Sequence, residues 1–328
     1  MRRLVLRATG LFVAAVLPAI GCGGTLDAGA DEYGPLPVDG RNPVILFGDG
    51  FSDNWQGEYA ILYASTGRFS SLAGIVVNTS PTWTSLSDQV AGWRAMVAAA
   101  RKAGLKVDAD PIGSTGAALV RPGNGEIDST VPNHSEGARL ILDMSKELAK
   151  PFRPLVVITG CRLTDIADAY LMEPDVANRI VVVSALGSVT KTGGLMGVAN
   201  GEMDTWADRI VAERLRYVQV STYYDQMTDM PASLLAVLPD NAFTDWIRAK
   251  QVWDDLDAAD QDAVVAVANP RFLTGSIQVS LQSSAANKQP PLVADEQGKI
   301  QLVTTVDGDV ATADFRQMLL NPATYSGR

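Results

Sequence analysis

Histidine is almost missing from this chain: 328 residues contain one, His134. That excludes multi-histidine zinc and iron sites and leaves a single candidate for any imidazole acid or base. Cysteine is nearly as scarce, and Cys22 and Cys161 alone can build neither a four-cysteine metal cluster nor a disulfide framework. Basic residues are outnumbered, 27 Lys+Arg against 37 Asp+Glu, giving a formal net charge of -10. No basic stripe is present, so a nucleic-acid backbone is excluded as a partner. What remains is 47% hydrophobic and 20% charged, which is ample for a globular core. The length permits one large or two ordinary domains, and no segment reads as a linker strong enough to split the body, so one domain is expected. A carboxylate-rich surface suits either simple solubility or a site for a hard cation.

The first segment reads as an address. Arg2, Arg3 and Arg7 precede an apolar run over residues 11–20, which is too short and wrongly flanked for a stable membrane span. Ala19-Ile20-Gly21-Cys22 resembles a bacterial lipobox, in which the cysteine becomes the lipidated N-terminus of the mature chain. An ordinary export signal with an incidental cysteine is the plainer alternative. The expected organisation is a signal peptide over 1–21, a Gly/Asp/Pro-rich tether over 22–42 and a folded domain over 43–328. The chain would be exported and held to a bacterial membrane, facing the periplasm, through lipid alone. Self-association is left open. Cys161, just after an apolar strand, is expected to be buried as a small hydrophobe.

Residues 43–47, Pro-Val-Ile-Leu-Phe, form a continuous apolar run that empties into Gly48-Asp49-Gly50, the pattern of a buried parallel strand. Further strands are predicted at 72–77, 106–109, 154–159 and 179–184, with helices at 57–65, 85–103, 135–150 and 163–171 between or beside them. Residues 283–298 read as a loop, and 299–306 and 311–320 supply a last strand and helix. This alternation predicts an α/β fold with a doubly wound, mostly parallel sheet flanked by helices, which places its ligand at the carboxyl ends of the strands.

The stretch Gly48-Asp49-Gly50-Phe51-Ser52-Asp53 invites comparison with the GDSL esterases, but Gly50 stands at the nucleophile position and no histidine lies near the C-terminus. A different resemblance spans residues 43 to about 273. Asp49, Asp53 and Asn54 resemble the Asp-x-Asp-x-x-x-Asp-Asp opening of the inosine/uridine-preferring nucleoside hydrolases. Gly160-Cys161-Arg162-Leu163-Thr164-Asp165-Ile166-Ala167 resembles their Gly-x-Pro-Leu-Thr-Asn/Asp-Ile-Ala block. Pro174 and the strand at 180–183 fall where that family has its Pro and its Ile-Val-x-Met-Gly-Gly strand. Gly201-Glu202-Met203-Asp204 is similar to the Glu-Phe-Asn substrate block, and Asp260-Gln261-Asp262-Ala263 with Asn269-Pro270 to the late Asp-Pro block.

The resemblance implies a Rossmann-like nucleoside hydrolase fold and Ca2+-dependent cleavage of the N-glycosidic bond of a nucleoside or related glycoside. It casts Asp49 as metal ligand and general base. Asn54, the backbone carbonyl of Thr164 and Asp260 complete the metal site, and Asp53, Glu202 and Asp204 bind the sugar. The chain departs from the pattern in four places: Phe47 replaces the first acid, Asn54 replaces an Asp, Asp204 replaces an Asn, and Ala259 replaces a candidate leaving-group histidine. Glu58 is an alternative to Asn54 if the alignment carries a small insertion, and Trp55, Trp83 and Trp206 are candidates for stacking a base. A catalytically impaired binder of nucleosides or sugars using the same pocket is the competing expectation. Each role also has a bland alternative: Asp49 as a turn residue, Asp260 or Thr164 as a helix start, Trp206 and Trp246 as packing residues, His134 as a surface loop residue.

Overall fold

The computed structural model describes residues 36–51, 55–80, 84–185, 200–220, 232–250, 260–281, 292–294 and 297–326. Tyr33–Arg328 form one compact unit. Among the described residues nine strands make one sheet: β1 Pro43–Gly48, β2 Ser71–Val77, β3 Pro111–Gly113, β4 Leu155–Thr159, β5 Ile180–Ala185, β6 Tyr217–Val220, β7 Leu273–Leu281, β8 Leu292–Ala294 and β9 Ile300–Val306. Their order is β3-β2-β1-β4-β5-β6-β9-β7-β8. All pairings are parallel except the two made by β7, which are antiparallel. The expected mostly parallel, doubly wound sheet is therefore what the chain forms.

Among the described residues the α-helices are α1 Gln56–Ser65, α2 Leu86–Lys102, α3 Glu136–Leu148, α4 Thr164–Met172, α5 Thr205–Arg214, α6 Ala242–Lys250, α7 Gln261–Ala268 and α8 Gly308–Leu320. Strand alternation divides the core into two layers. Val44 and Leu46 of β1, Val156 and Ile158 of β4, and Val181 and Val183 of β5 pack with α1, α2, α6, α7 and α8. Ile45, Phe47, Leu155, Val157, Ile180 and Val182 pack with α3, α4 and α5 on the other face. Burial on both faces is why these strands read as unbroken apolar runs; each such side chain contributes roughly 1.5–3 kcal/mol.

Three expectations need correction. The strand expected at 106–109 is displaced to Pro111–Gly113. Arg101 explains the shift: its guanidinium donates to the carbonyls of Val107 at 2.8 Å, Asp108 at 3.2 Å and Ala109 at 3.3 Å, holding as irregular chain a segment whose alternation looked like a strand. Residues 36–42 are also part of the folded body rather than tether. Leu36 and Val38 are buried in the core, and Asn42 donates to the Pro154 carbonyl at 2.8 Å. Two isolated apolar residues among Gly, Asp and Pro carry no periodicity, so composition alone hid them. The segment 283–298, expected as loop, contains the short strand β8.

Candidate active site at the switch point

Strand order reverses between β1 and β4, and in open α/β sheets the crevice outside the carboxyl ends of two such strands is where ligands bind. Asp49 follows β1 directly, and Gly160-Cys161-Arg162 follow β4. The Gly160 amide donates to the Phe47 carbonyl at 3.0 Å, extending the β1–β4 pairing to the residue where the two chains part. Phe47 itself lies in the opposite core layer, against α3, where the ring substitutes apolar packing for the acid of the resembled motif.

Asp49 is buried. Its Oδ1 accepts from the Gly50 amide at 2.6 Å, its own carbonyl accepts from Trp93 Nε1 at 3.2 Å, and Ser80 hydrogen-bonds the carboxyl. Burial raises its pKa above the ordinary carboxylate value; the Gly50 and Ser80 bonds and the charge of Arg162 only partly offset this. The next loop residue is tied as well: the Phe51 amide donates to Gln89 Oε1 at 3.2 Å.

Asp260 sits at the N-cap position of α7, yet its side chain makes no cap hydrogen bond. It accepts instead from Asn200 Nδ2 at 2.9 Å and turns toward β4. A Cβ on Gly160 would fall 2.7 Å from Asp260 Cγ and 2.6 Å from Gln56 Nε2, while one on Gly48 would fall 2.9 Å from Gln56 Oε1. Gln56 thus lies across the ends of β1 and β4 beside Asp260, and glycine at both positions makes the room.

The other candidates are placed differently. Asp204 Oδ1 caps α5 through the Ala207 amide at 3.0 Å, and Oδ2 accepts from Thr164 Oγ1 at 2.7 Å and the Leu119 amide at 2.8 Å. Its carboxylate therefore joins α5, α4 and the loop after β3. Thr164 begins α4, so its carbonyl also heads that helix's hydrogen-bond ladder. Glu58, the alternative to Asn54, is fully buried in an ion pair with Lys250, which also lies over the rings of Trp55 (5.1 Å) and Trp246 (5.3 Å); this removes it as a metal ligand. Trp55 packs on Phe315, and Trp206 Nε1 donates to Thr130 Oγ1 at 3.0 Å under Arg121 and Arg209, so neither is a base stacker. His134 is exposed before α3 with φ 57°. Cys161 is buried, and burial drives its thiol well above the ordinary value. Cys22, Asp53, Asn54, Trp83 and Ala259 lie outside the described residues, as does the side chain of Glu202.

Residue-by-residue reading missed the site's polar wall. Asn78 follows β2, Ser114 follows β3 and donates to Asp165 Oδ1 at 2.9 Å, and Asn78 Nδ2 reaches Cys161 Sγ at 3.6 Å. Asp165 is buried and its pKa is raised by that burial. The signal was available, because Asn78 and Ser114 are polar residues at the carboxyl ends of predicted or adjacent strands.

Calcium is the metal the resemblance implies. Among the described residues no three His, Cys, Asp or Glu side chains group as a ligand cluster. The donors at the switch point are nonetheless of the right kind: Asp49 and Asp260 are hard oxygen ligands, both buried, and two carboxylates balance one divalent charge. In donor type they suit such an ion.

Helices on both faces, a parallel sheet and buried acids at the strand-order reversal define an α/β protein with a carboxylate site at its switch point. More narrowly, the chain has the nucleoside hydrolase fold. It is similar to a purine-preferring ribonucleoside hydrolase from Gardnerella vaginalis (TM-score 0.62, 15% identity, covering 87% of this chain and 100% of that one). An inosine-uridine preferring nucleoside hydrolase from Bacillus anthracis matches with TM-score 0.59 and 13% identity over 85% of this chain and 99% of that one. A nucleoside hydrolase-related protein from Saccharophagus degradans, described as associated with carbohydrate metabolism, matches with TM-score 0.58 and 16% identity over 88% and 73%. No protein-family model and no curated protein sequence matches the chain.

Proposed function

We propose that this protein hydrolyses the N-glycosidic bond of a nucleoside or a related N-glycoside, with Asp49 as general base. The observation that carries the reading is the pair Asp49 and Asp260: both carboxylates are buried at the β1/β4 reversal, and Asp260 leaves its own helix uncapped to face that crevice. Asp49 takes the proton of the attacking water. The buried acids stabilise the positive charge that develops on the sugar as the bond to the base breaks. Ca2+ would be held by Asp49 and Asp260, with Asn54 and the Thr164 carbonyl as further oxygen donors. When bound it supplies Lewis acidity and a fixed hold on ligand oxygens. Asp53 and Glu202 are proposed for the sugar hydroxyls, and Asp204, if it serves there, does so from its capping position.

Release of reducing sugar from purine and pyrimidine nucleosides tests the proposal. Activity should require divalent metal and fall by about 10²–10⁴ in Asp49→Asn. Turnover indifferent to Asp49→Asn and Asp260→Asn would overturn it. A binding protein that retains a nucleoside or sugar without cleaving it is the second reading, favoured by the Lys250–Glu58 pair, which withdraws a third carboxylate from the metal. Metal and nucleoside binding without sugar release would select it. We further propose export and lipidation at Cys22, tested by membrane fractionation of Cys22→Ser, which should become soluble.

A further inference from the structure

We propose that the end of the sheet opposite the carboxylate crevice is a docking face for a bilayer containing anionic phospholipid, so that the crevice points away from that bilayer. The six adjacent strands β2-β1-β4-β5-β6-β9 run parallel. Each is entered through a basic residue within three positions of its start: Arg68, Arg41, Arg153, Arg179, Arg216 and Lys299. Register lays these residues in a row. Arg41 stands three before Val44 and Arg153 three before its partner Val156, while Arg216 and Lys299 immediately precede the partners Tyr217 and Ile300. With strands spaced about 4.8 Å apart, the row crosses roughly 24 Å of sheet. In a chain with 37 acids and 27 bases this is a segregation of charge, since Asp49 and Asp260 stand at the other ends of the strands.

Three carboxylates offset half of the row: Asp314 pairs with Arg68 at 2.5 Å, Asp39 with Arg41 at 2.6 Å and Glu173 with Arg179 at 2.5 Å. Among the described residues no carboxylate lies within ion-pair distance of Arg153, Arg216 or Lys299; Arg216 gives Nε and Nη2 to the carbonyls of Ile180 and Asn178 instead. Beside Arg153 the chain makes a tight turn, in which the Lys150 and Arg153 amides donate to each other's carbonyls at 2.9 and 3.0 Å and set Pro151 and Phe152 at the tip. Phe152 is 82% exposed. An aromatic ring held out between two cations suits the headgroup region of a bilayer, where the ring enters the boundary and the charges meet lipid phosphates. The chain also enters the body here: Asn42 donates to the Pro154 carbonyl at 2.8 Å and the Gly40 carbonyl accepts from the Ser70 amide at 2.7 Å, just before β1. Leu36 is fourteen residues past Cys22, at most about 50 Å of extended chain. This part of the argument rests on the lipidation proposed for Cys22, an anchor to which the basic face adds without replacing it. Near an anionic surface each exposed Lys or Arg strengthens binding about fivefold.

The test is co-sedimentation of the full chain carrying Cys22→Ser, so that no attached lipid takes part, with vesicles of phosphatidylcholine alone or with about one-quarter phosphatidylglycerol. The anionic vesicles should bind at least about tenfold tighter, and the difference should close at about 0.5 M salt. Residues 1–21 are common to every variant, so the comparison that decides is between variants. Lys150→Glu with Lys299→Glu should weaken binding to the anionic vesicles at least about tenfold. Phe152→Ser should weaken it in a manner that salt alters little, because the ring contributes by burial. All three side chains are exposed, so melting temperatures should be unchanged; should the double reversal fail to fold, Phe152→Ser and each single reversal decide. Equal binding to both vesicles, or anionic binding unchanged in the variants, overturns the inference. A dimer that forms through these residues, with no preference for anionic lipid, assigns the face to a second copy of the chain and also overturns it. Selective binding that these residues carry, in a protein that cleaves no nucleoside, leaves this inference standing and removes the proposed hydrolase activity alone.

Discussion

Single residues at the switch point carry opposing demands of stability and chemistry. Asp49, Glu58 and Asp165 all have carboxyl pKa values raised by burial. An acid whose folded pKa lies above its unfolded value holds more protons when folded, so stability is greatest below the unfolded pKa and declines as pH rises through the folded one. In metal-free buffer the chain should therefore lose stability on going from about pH 4 toward neutrality through these three groups. Asp49→Asn and Asp165→Asn, which carry no charge to bury, should raise the neutral-pH melting temperature while Asp49→Asn lowers activity. Thermal scans across pH check this; a melting temperature in Asp49→Asn that is lower at pH 7 than wild type would refute it. Gly160 tests the same crevice by size. A methyl there would meet Asp260 Cγ at 2.7 Å and Gln56 Nε2 at 2.6 Å, so Gly160→Ala should cost about 1–3 kcal/mol in urea unfolding. It should also reduce turnover, because the side chain displaced is that of the proposed ligand Asp260.

At the scale of elements, charged side chains join helices that the sheet alone would leave independent. Asp168 of α4 accepts from the amides of Asn133 (2.6 Å), His134 (3.2 Å) and Ser135 (2.7 Å), and from Ser135 Oγ (2.8 Å), at the entrance to α3. Its carboxylate holds His134 in the left-handed region, where a non-glycine residue costs roughly 1–2 kcal/mol. Asp168→Ala should therefore destabilise the fold by about 3 kcal/mol, since several buried amides lose a charged acceptor at once. The Lys250–Glu58 pair joins α6 to α1 in the other layer. Breaking it from one side, as in Glu58→Gln or Lys250→Met, should cost about 3–5 kcal/mol, and replacing both partners with apolar residues should cost less than the worse single change. Chemical denaturation of the four-member cycle measures the difference. These contacts were illegible in the sequence for a physical reason: periodicity reports which face of an element is apolar, whereas Asp168 and Glu58 act across 33 and 192 residues of separation.

The molecule as a whole shows which parts of the fold a sequence exposes. Strands buried on both faces announce themselves as Val/Ile/Leu runs, and β1, β2, β4 and β5 were legible to within about two residues. β6, β7 and the edge strands were not: β6 is four residues broken by Gln219, β7 alternates apolar with polar residues, and β3 is three residues long, with its apolar neighbours Val107 and Ala109 held outside the ladder by Arg101. Asp49 and Asp260 could be named from motif order, but that Asp260 faces the crevice rather than capping α7 depends on Asn200, sixty residues away. Glu58 shows the converse, an acid at a plausible spacing whose partner lies on another helix. The acid excess of the chain then acquires a consequence at this scale. If Asp49 and Asp260 hold a divalent ion that the unfolded chain does not, folding stability must rise with metal concentration, by about 2.7 kcal/mol at a hundredfold excess over the dissociation constant. Ca2+ should accordingly raise the melting temperature of the wild type, with a smaller increase in Asp260→Asn and in Asp49→Asn. The metal-dependent part of the stability should grow from acid to neutral pH, as the carboxyls give up their protons to the ion, opposite in sign to the metal-free trend. A melting temperature insensitive to millimolar Ca2+, or raised equally in both variants, would show that the two buried acids do not share a cation.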